Sequence, residues 1–216
     1  MDLIAKIRST HNELGMFDTL LYMMDKLLSK ITFGNCTLHK YYITHQPVAV
    51  HPSVPPNKAL DIDVKQISAD SPALQAIDRP LSVLQQRAQQ GGICFAAFKR
   101  GEFAGNIWLN IDKYIEDEVR CIYVLSPSGR SAWDYDVFVQ PRYRLSYVFA
   151  KLWDSANQFM ADRDIQSVYS RINYYNIRSL QSHKRLGSKV VGSAYFLNVF
   201  NCQVLLSRRF SPYIHF

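Results

Sequence analysis

Long apolar runs are missing from this 216-residue chain. No stretch approaches the roughly 18 consecutive apolar residues that a membrane-spanning helix needs, so no transmembrane segment is expected. Met1 is followed by acidic Asp2 and by no extended hydrophobic core, which gives no secretory leader. Paired cysteines are missing as well. Cys36, Cys94, Cys121 and Cys202 lie far apart, with no C-x-x-C and no histidine at metal-ligand spacing. A zinc site is therefore not expected, nor any other metal. His39, His45 and His51 show no ligand spacing either. Cys94 and Cys121 fall in the apolar runs ICFAAF and CIYVL and read as buried thiols. Unpaired thiols fit a reducing compartment, and the expected location is the cytoplasm.

Disorder and low complexity are absent too. The chain is 48% hydrophobic and 20% charged, with 13 Tyr and 12 Phe. That composition belongs to a globular chain, and the length allows one sizeable domain with or without an appendage. The net charge is +7, unevenly placed. Residues 1–136 hold 14 basic and 15 acidic side chains, whereas residues 137–216 hold 11 and 3. The anion this protein meets is therefore expected at the last third. No nucleic-acid motif is present and the basic residues do not interleave with aromatics, so nucleic acid is not the expected partner.

The spacing predicts a first helix over Thr10–Lys30, with Leu14, Phe17, Leu20, Leu21, Met24, Leu27, Leu28 and Ile31 on one face. A strand follows at Leu38–Thr44. Four prolines between Gln46 and Lys58 permit only an extended linker. The division expected is an N-terminal appendage of helix, strand and Pro-rich linker, residues 1–57, and a main domain, residues 58–216. The helix is expected to pack on the main domain or to serve in a homodimer. An interfacial membrane contact is a third option.

The main domain reads as a strand at Asp61–Ile67, a short helical stretch from Ser71-Pro72 and a helix at Pro80–Gln89. Strands at Ile93–Lys99 and Phe103–Asn110 flank the turn Arg100-Gly101-Glu102. Further strands are expected at Val119–Leu125 and Ala132–Val139. A long helix over Arg144–Arg163 precedes a strand at Ser167–Ile172. A helix over Asn176–Leu186 closes on Gly187, and a hairpin over Lys189–Val199 and Cys202–Ser207 ends the order. This is an α+β plan around one mixed, mostly antiparallel sheet flanked by helices.

Two segments carry chemistry. Val137-Phe138-Val139-Gln140-Pro141-Arg142-Tyr143-Arg144 takes a strand through a basic loop towards a helix N-terminus, where orphan N–H groups suit an anion. For Arg142 and Arg144 the competing reading is a solvated loop. The second segment places Asn176, Ser179, His183 and Gly187 at offsets 0, 3, 7 and 11. Asn176 also reads as a helix N-cap.

On these residues the sequence resembles the GCN5-related N-acetyltransferase (GNAT) family, over roughly residues 61–207. The family's acyl-donor loop has the pattern V-x-P-x-Y-R-G-x-G, and this chain supplies Val139, Pro141, Tyr143 and Arg144 in register. The later motif N-x-x-A/S-x-x-x-Y-x-x-x-G is met by Asn176, Ser179 and Gly187, with His183 at the Tyr position. Leu145 and Tyr147, which flank Ser146, replace the family's two loop glycines. The resemblance implies direct transfer of an acyl group from a phosphopantetheine thioester to an amine, with no metal. The donor would be acetyl-CoA, another acyl-CoA or an acyl carrier protein. A donor bearing one phosphate rather than a pyrophosphate suits the crowded loop at least as well. The donor site would comprise Val137, Phe138, Val139, Arg142, Tyr143, Arg144, Leu145, Ser146, Tyr147, Asn176 and Ser179. His183 is the candidate acid for the leaving sulfur. Asp134 and Asp136, two apart and expected on one strand face, are candidate bases. For His183 the competing reading is a surface helix histidine, and for the two aspartates solvated carboxylates. The acceptor would be a small molecule or a peptide amine. The first helix could also wall an acyl-chain tunnel. The alternative function is a catalytically inactive GNAT-fold module that binds a partner.

Overall fold

The computed structural model describes residues 15–116, 118–125 and 128–207, and the backbone of 213–215. Four helices occur among them: α1 (Met16–Ile31), α2 (Leu81–Gln89), α3 (Val148–Ala161) and α4 (Ile177–Arg185). The strands are β1 (Cys36–Pro47), β2 (Ile62–Ile67), β3 (Ile93–Lys99), β4 (Glu102–Ile111), β5 (Lys113–Ile115) and β6 (Ile122–Val124). They continue with β7 (Ser131–Val139), β8 (Ser167–Asn173), β9 (Lys189–Val199), β10 (Cys202–Ser207) and β11 (Tyr213–His215). The architecture is α+β and mostly antiparallel, as the order of sequence signals predicts. The chain forms two compact units. The first holds residues 1–46, 117–120 and 170–216; the second holds 47–116 and 121–169.

In the second unit, β2, β3, β4 and β7 pair antiparallel in that order. Alternation sorts their side chains. Cys94, Ala96, Phe103 and Trp108 face α2 and the 3₁₀ turn Pro72–Ala76, where Leu74, Ile77 and Leu84 complete a core. The opposite face meets α3, with Phe95 edge-on to Phe159 at 5.5 Å between ring centres. Gly105 sits where β4 and β7 approach most closely. A Cβ there would stand 2.4 Å from the Phe138 carbonyl oxygen, so no other residue fits without moving the strand. The proline-rich stretch is pinned: Asp154 of α3 accepts from the Ser53 amide and hydroxyl and from the Val54 amide.

A β-bulge changes one expectation. Asp136 pairs with Trp108 and Asp134 with Leu109, so Tyr135 is the extra residue on β7. Strand neighbours Trp108 and Leu109 point to opposite faces, and the two aspartates follow them. Asp134 and Asp136 therefore do not share a face. Asp136 reaches the α2 side, where the buried Arg87 Nη1 donates to its Oδ2 at 2.6 Å. Arg87 also lies over the rings of Tyr135 and Trp108.

In the first unit, β1 pairs with β9, β9 with β10, and β10 with β11, all antiparallel. The earliest strand thus joins the last hairpin. Helix α1 docks on this sheet by its polar side. Asp18 accepts from Lys40 Nζ at 2.6 Å and from the Tyr42 hydroxyl at 2.9 Å; Asp25 accepts from the Leu38 amide. Asp18 and Thr19 are its buried residues, while Phe17, Leu20, Met24, Leu27 and Ile31 face outward. Of the apolar stripe expected to pack, Leu21 and Leu28 are half-buried and these five are exposed; Leu14 lies outside the described residues. The buried cluster has prior claim to the interface, because Lys40 cannot be left uncompensated beneath the helix. The start of the helix expected at Thr10 lies outside the described residues.

Two further differences have local causes. Helix α3 begins at Val148, not Arg144. The Ser146 hydroxyl donates to the Tyr143 carbonyl and accepts from the Val148 amide, which favours a turn over an earlier helix start. Cys121 is only half-buried, since β6 is one strand of a short two-stranded ladder with β5. Cys94 and Cys36 are buried, and burial pushes the Cys94 thiol well above its ordinary range.

Burial opposes the Lys40 ammonium, but its hydrogen bonds to Asp18 and Tyr42 outweigh that and hold its pKa above 10.5. Burial and the bond to Asp18 raise the Tyr42 pKa as well. Both shifts are upward, so their stabilisation is complete below the unfolded values and is lost as pH rises through the folded ones. Chemical denaturation should show stability falling above about pH 10. Asp18→Ala should cost about 3 kcal/mol and abolish that alkaline dependence. Arg87→Met should cost a similar ~3 kcal/mol, because it strands the Asp136 carboxylate. Adding Asp136→Asn to Arg87→Met should recover part of that loss in a double-mutant cycle.

Candidate functional site

Strand β7 positions most of the predicted residues. Val137 and Val139 alternate with Asp136 and Phe138, opposite Ile107, Gly105, Trp108 and Asn106 of β4. Asp136 and Phe138 lie on the α2 face and open into a cavity of about 250 Å³. Ile77, Asp78 and Arg79 form its rim, and Asn106 lies at its base. Asn106 is fully buried, and neither side-chain amide atom has a hydrogen-bond partner. Buried polar atoms are normally satisfied, so an orphan amide lining a cavity marks a place for a polar ligand. Arg79 Nε stands 3.5 Å from Asp136 Oδ2, the same oxygen that accepts from Arg87. One carboxylate thus lies between two guanidinium groups at the cavity wall. Asp134 is buried on the other face of the strand.

The loop after β7 is turned in on itself. Pro141–Tyr143 forms a 3₁₀ turn. The amides of Tyr143 and Ser146 donate to the Gln140 and Tyr143 carbonyls. Arg142 pairs with Glu102 at 3.0 Å, bonds Gln140 and lies over the Tyr143 ring. The Tyr143 hydroxyl also donates to Glu102, and this bond raises its pKa. Arg144 Nε donates to the Val139 carbonyl. Leu145 and Tyr147 are exposed, and neither has a positive φ. The backbone path therefore makes no conformational demand for the glycines that the two residues replace. What glycine would add is room: the Leu145 side chain projects fully into solvent at the loop's crest.

Asn176, Ser179 and His183 belong to the first unit. Asn176 is the N-cap of α4, its side chain accepting from the Ser179 amide at 3.2 Å. His183 is buried rather than a surface histidine. Its Nδ1 is 2.9 Å from the Ser179 carbonyl oxygen. The Ser179 hydroxyl lies 3.4 Å from the same nitrogen, so Ser179 meets His183 through both its backbone and its side chain. The structure brings Asp136, Phe138 and Val139 together with the loop residues in the second unit, and Asn176, Ser179 and His183 together in the first.

Arg87, Arg79 and Asn106 were not foreseen. Two of them leave a trace in the sequence. Arg87 follows Leu84 by three residues and precedes Ala88, on the apolar side of its helix. Asn106 interrupts the apolar run of β4. A lone polar group in such a place needs a partner or a function. Among the described residues no group of three His, Cys, Asp or Glu side chains is set to hold a metal ion, and no helix is long and apolar enough to cross a membrane.

No family model matches the sequence, and no curated protein matches it. Solved structures do. A protein described as a GNAT-family acetyltransferase from Novosphingobium aromaticivorans superposes with a TM-score of 0.53 at 15% identity, covering 74% of this chain and 65% of that one. A functionally unknown conserved protein from Staphylococcus epidermidis gives 0.52 at 10% identity, covering 80% and 66%. A Drosophila protein gives 0.52 at 11%, covering 78% and 54%. The chain spans about half to two thirds of the length of these structures. Element order, strand pairing and these superpositions agree on one architecture: the chain has the fold of the GCN5-related N-acetyltransferases.

Proposed function

We propose that the protein is an acyltransferase that moves an acyl group from a phosphopantetheine thioester directly to an amine, the donor being an acyl-CoA or an acyl carrier protein. The observation that carries this reading is a cavity built on the strand of the donor motif. Val139 ends β7, Pro141, Tyr143 and Arg144 follow it in family register, and two residues of that strand, Asp136 and Phe138, line the cavity with Asn106.

The roles proposed combine the family resemblance with the residues that line the cavity. The backbone of Tyr135–Val139 would pair with the pantetheine amides, and its N–H groups would polarise the thioester carbonyl. The cavity would take the acceptor, with Asn106 meeting a polar group of it. Asp136, held between Arg79 and Arg87, would accept the amine proton directly or through a water. On the resemblance alone, His183 would return a proton to the departing thiolate. Arg142 and Arg144 would turn from their present partners to the donor phosphate.

A second reading has its own support. The Tyr143 and Ser146 amides and the Arg142 side chain already have partners within the loop or on Glu102. A loop so occupied suits an inactive binding module of the same fold.

Thiol release from panels of acyl-CoA and acyl carrier protein, each with a panel of amines, separates the two. Release with at least one donor is expected. No release with any donor, together with no thermal shift on adding CoA, would leave the inactive module. His183→Ala should lower turnover by about 10²-fold or more while changing donor affinity little; an unchanged rate constant removes His183 from the mechanism. Charge reversal at Arg142 and Arg144 should weaken donor binding roughly tenfold, about 1.4 kcal/mol. Donor affinity insensitive to that change would show the loop assignment to be wrong.

A further inference from the structure

Helix α1 turns its apolar side to solvent. Phe17, Leu20, Met24, Leu27 and Ile31 are each at least 51% exposed, with Met16 beside them and Phe33 just beyond the helix. Their spacing is three, four, three, four, the seam by which one helix packs on another. The unit adds to this surface from its sheet. Leu197 and Val199 of β9 and Leu206 of β10 are exposed, and by register they share the sheet face of Lys40, on which α1 docks. Seven large side chains on and beside α1, each more than half exposed, amount to roughly 700 Å² of apolar surface. That exceeds the 300–600 Å² of an ordinary monomer's largest patch. It is close to the ~800 Å² that each partner of a stable complex contributes.

We propose that this face is the interface of a homodimer, in which α1 and the neighbouring strand residues pack against the same elements of a second copy. The inference does not depend on the acyltransferase reading. Three features favour a second copy. The seam holds no charge, so two copies meet without burying one. A two-fold contact sets each patch against its own copy, and an apolar patch meets an apolar one without a polar mismatch. A helix lying on a membrane would instead direct basic side chains outward along its polar face. Here only Lys26 and Lys30 are basic, balanced by Asp18 and Asp25, and the two acids turn inward to Lys40 and Leu38.

The test is the mass of the full chain in solution at tens of micromolar, by light scattering or sedimentation. The wild type is expected at twice 24.9 kDa. Leu20→Glu with Leu27→Glu is expected at 24.9 kDa, with an unchanged circular dichroism spectrum because both side chains are exposed. Met24→Cys, at the midpoint of the seam, should oxidise to a covalent dimer, whereas Val50→Cys, exposed on the other unit, should not. A monomeric wild type overturns the proposal, as does a dimer untouched by the double substitution or a dimer in which Met24→Cys fails to cross-link. Two monomeric outcomes would reassign the face. Binding to phosphatidylcholine–phosphatidylserine vesicles would give it to a membrane. Dimers formed only after deletion of residues 1–14 would give it to that segment.

Discussion

The contact between Arg87 and Asp136 organises the second unit. A guanidinium this buried is tolerable only beside a carboxylate, and Asp136 is within reach only because the bulge at Tyr135 turns it to the α2 face. The contact fastens a short helix of weak amphipathic character to the strand that bears the loop motif. It also stacks Arg87 on two aromatic rings, which widens the footprint of one ion pair into a packed layer. The same carboxylate forms a wall of the cavity. One side chain thus serves both the packing of α2 and the lining of the cavity.

The cavity and the loop after β7 are built on different terms. The cavity contains polar atoms that the protein leaves unsatisfied, at Asn106 above all. The loop has most of its polar groups engaged already, through Glu102, Gln140 and its own carbonyls. A ligand entering the first would gain hydrogen bonds without displacing any. A ligand meeting the second would have to exchange partners with groups that are exposed and weakly held. Such an exchange costs little for a phosphate, because a surface pair such as Arg142–Glu102 contributes at most about 1 kcal/mol.

Most of the fold was legible because its signals are local. The apolar run ICFAAF, the tight turn Arg100-Gly101-Glu102, the glycine after α4 and the periodicity of α3 each depend on neighbours in sequence. The bulge at Tyr135 was not legible, since it arises from how β7 registers on β4 and no residue type announces it. Leu145 and Tyr147 were recognised as departures from the family pattern, and the ordinary backbone angles there show that the departure needs no strain. The capping role of Asn176 was legible, being a local matter of its side chain and the amide three positions on. The burial of His183 was not, because its flanks Ser182 and Lys184 are polar. Arg87 and Asn106 belong to the α2 face of the sheet, which assembles only when residues from positions 74 to 138 come together.

Helix α1 reverses the usual relation between polarity and constraint. In most surface helices the apolar positions are fixed by the core and the polar ones drift. Here Lys40, Asp18 and Tyr42 form a closed set, with the Lys40 ammonium also facing the rings of Tyr174 and Tyr195. Within a single copy, then, Asp18 is the position of α1 that cannot be exchanged on its own. Exposed apolar positions such as Leu20 and Leu27 are free to vary unless something outside the molecule restrains them. Relatives of this chain therefore carry a record of α1's surroundings. Drift at Leu20 and Leu27 would mean a solvated face, and restraint there would mean contact with another body.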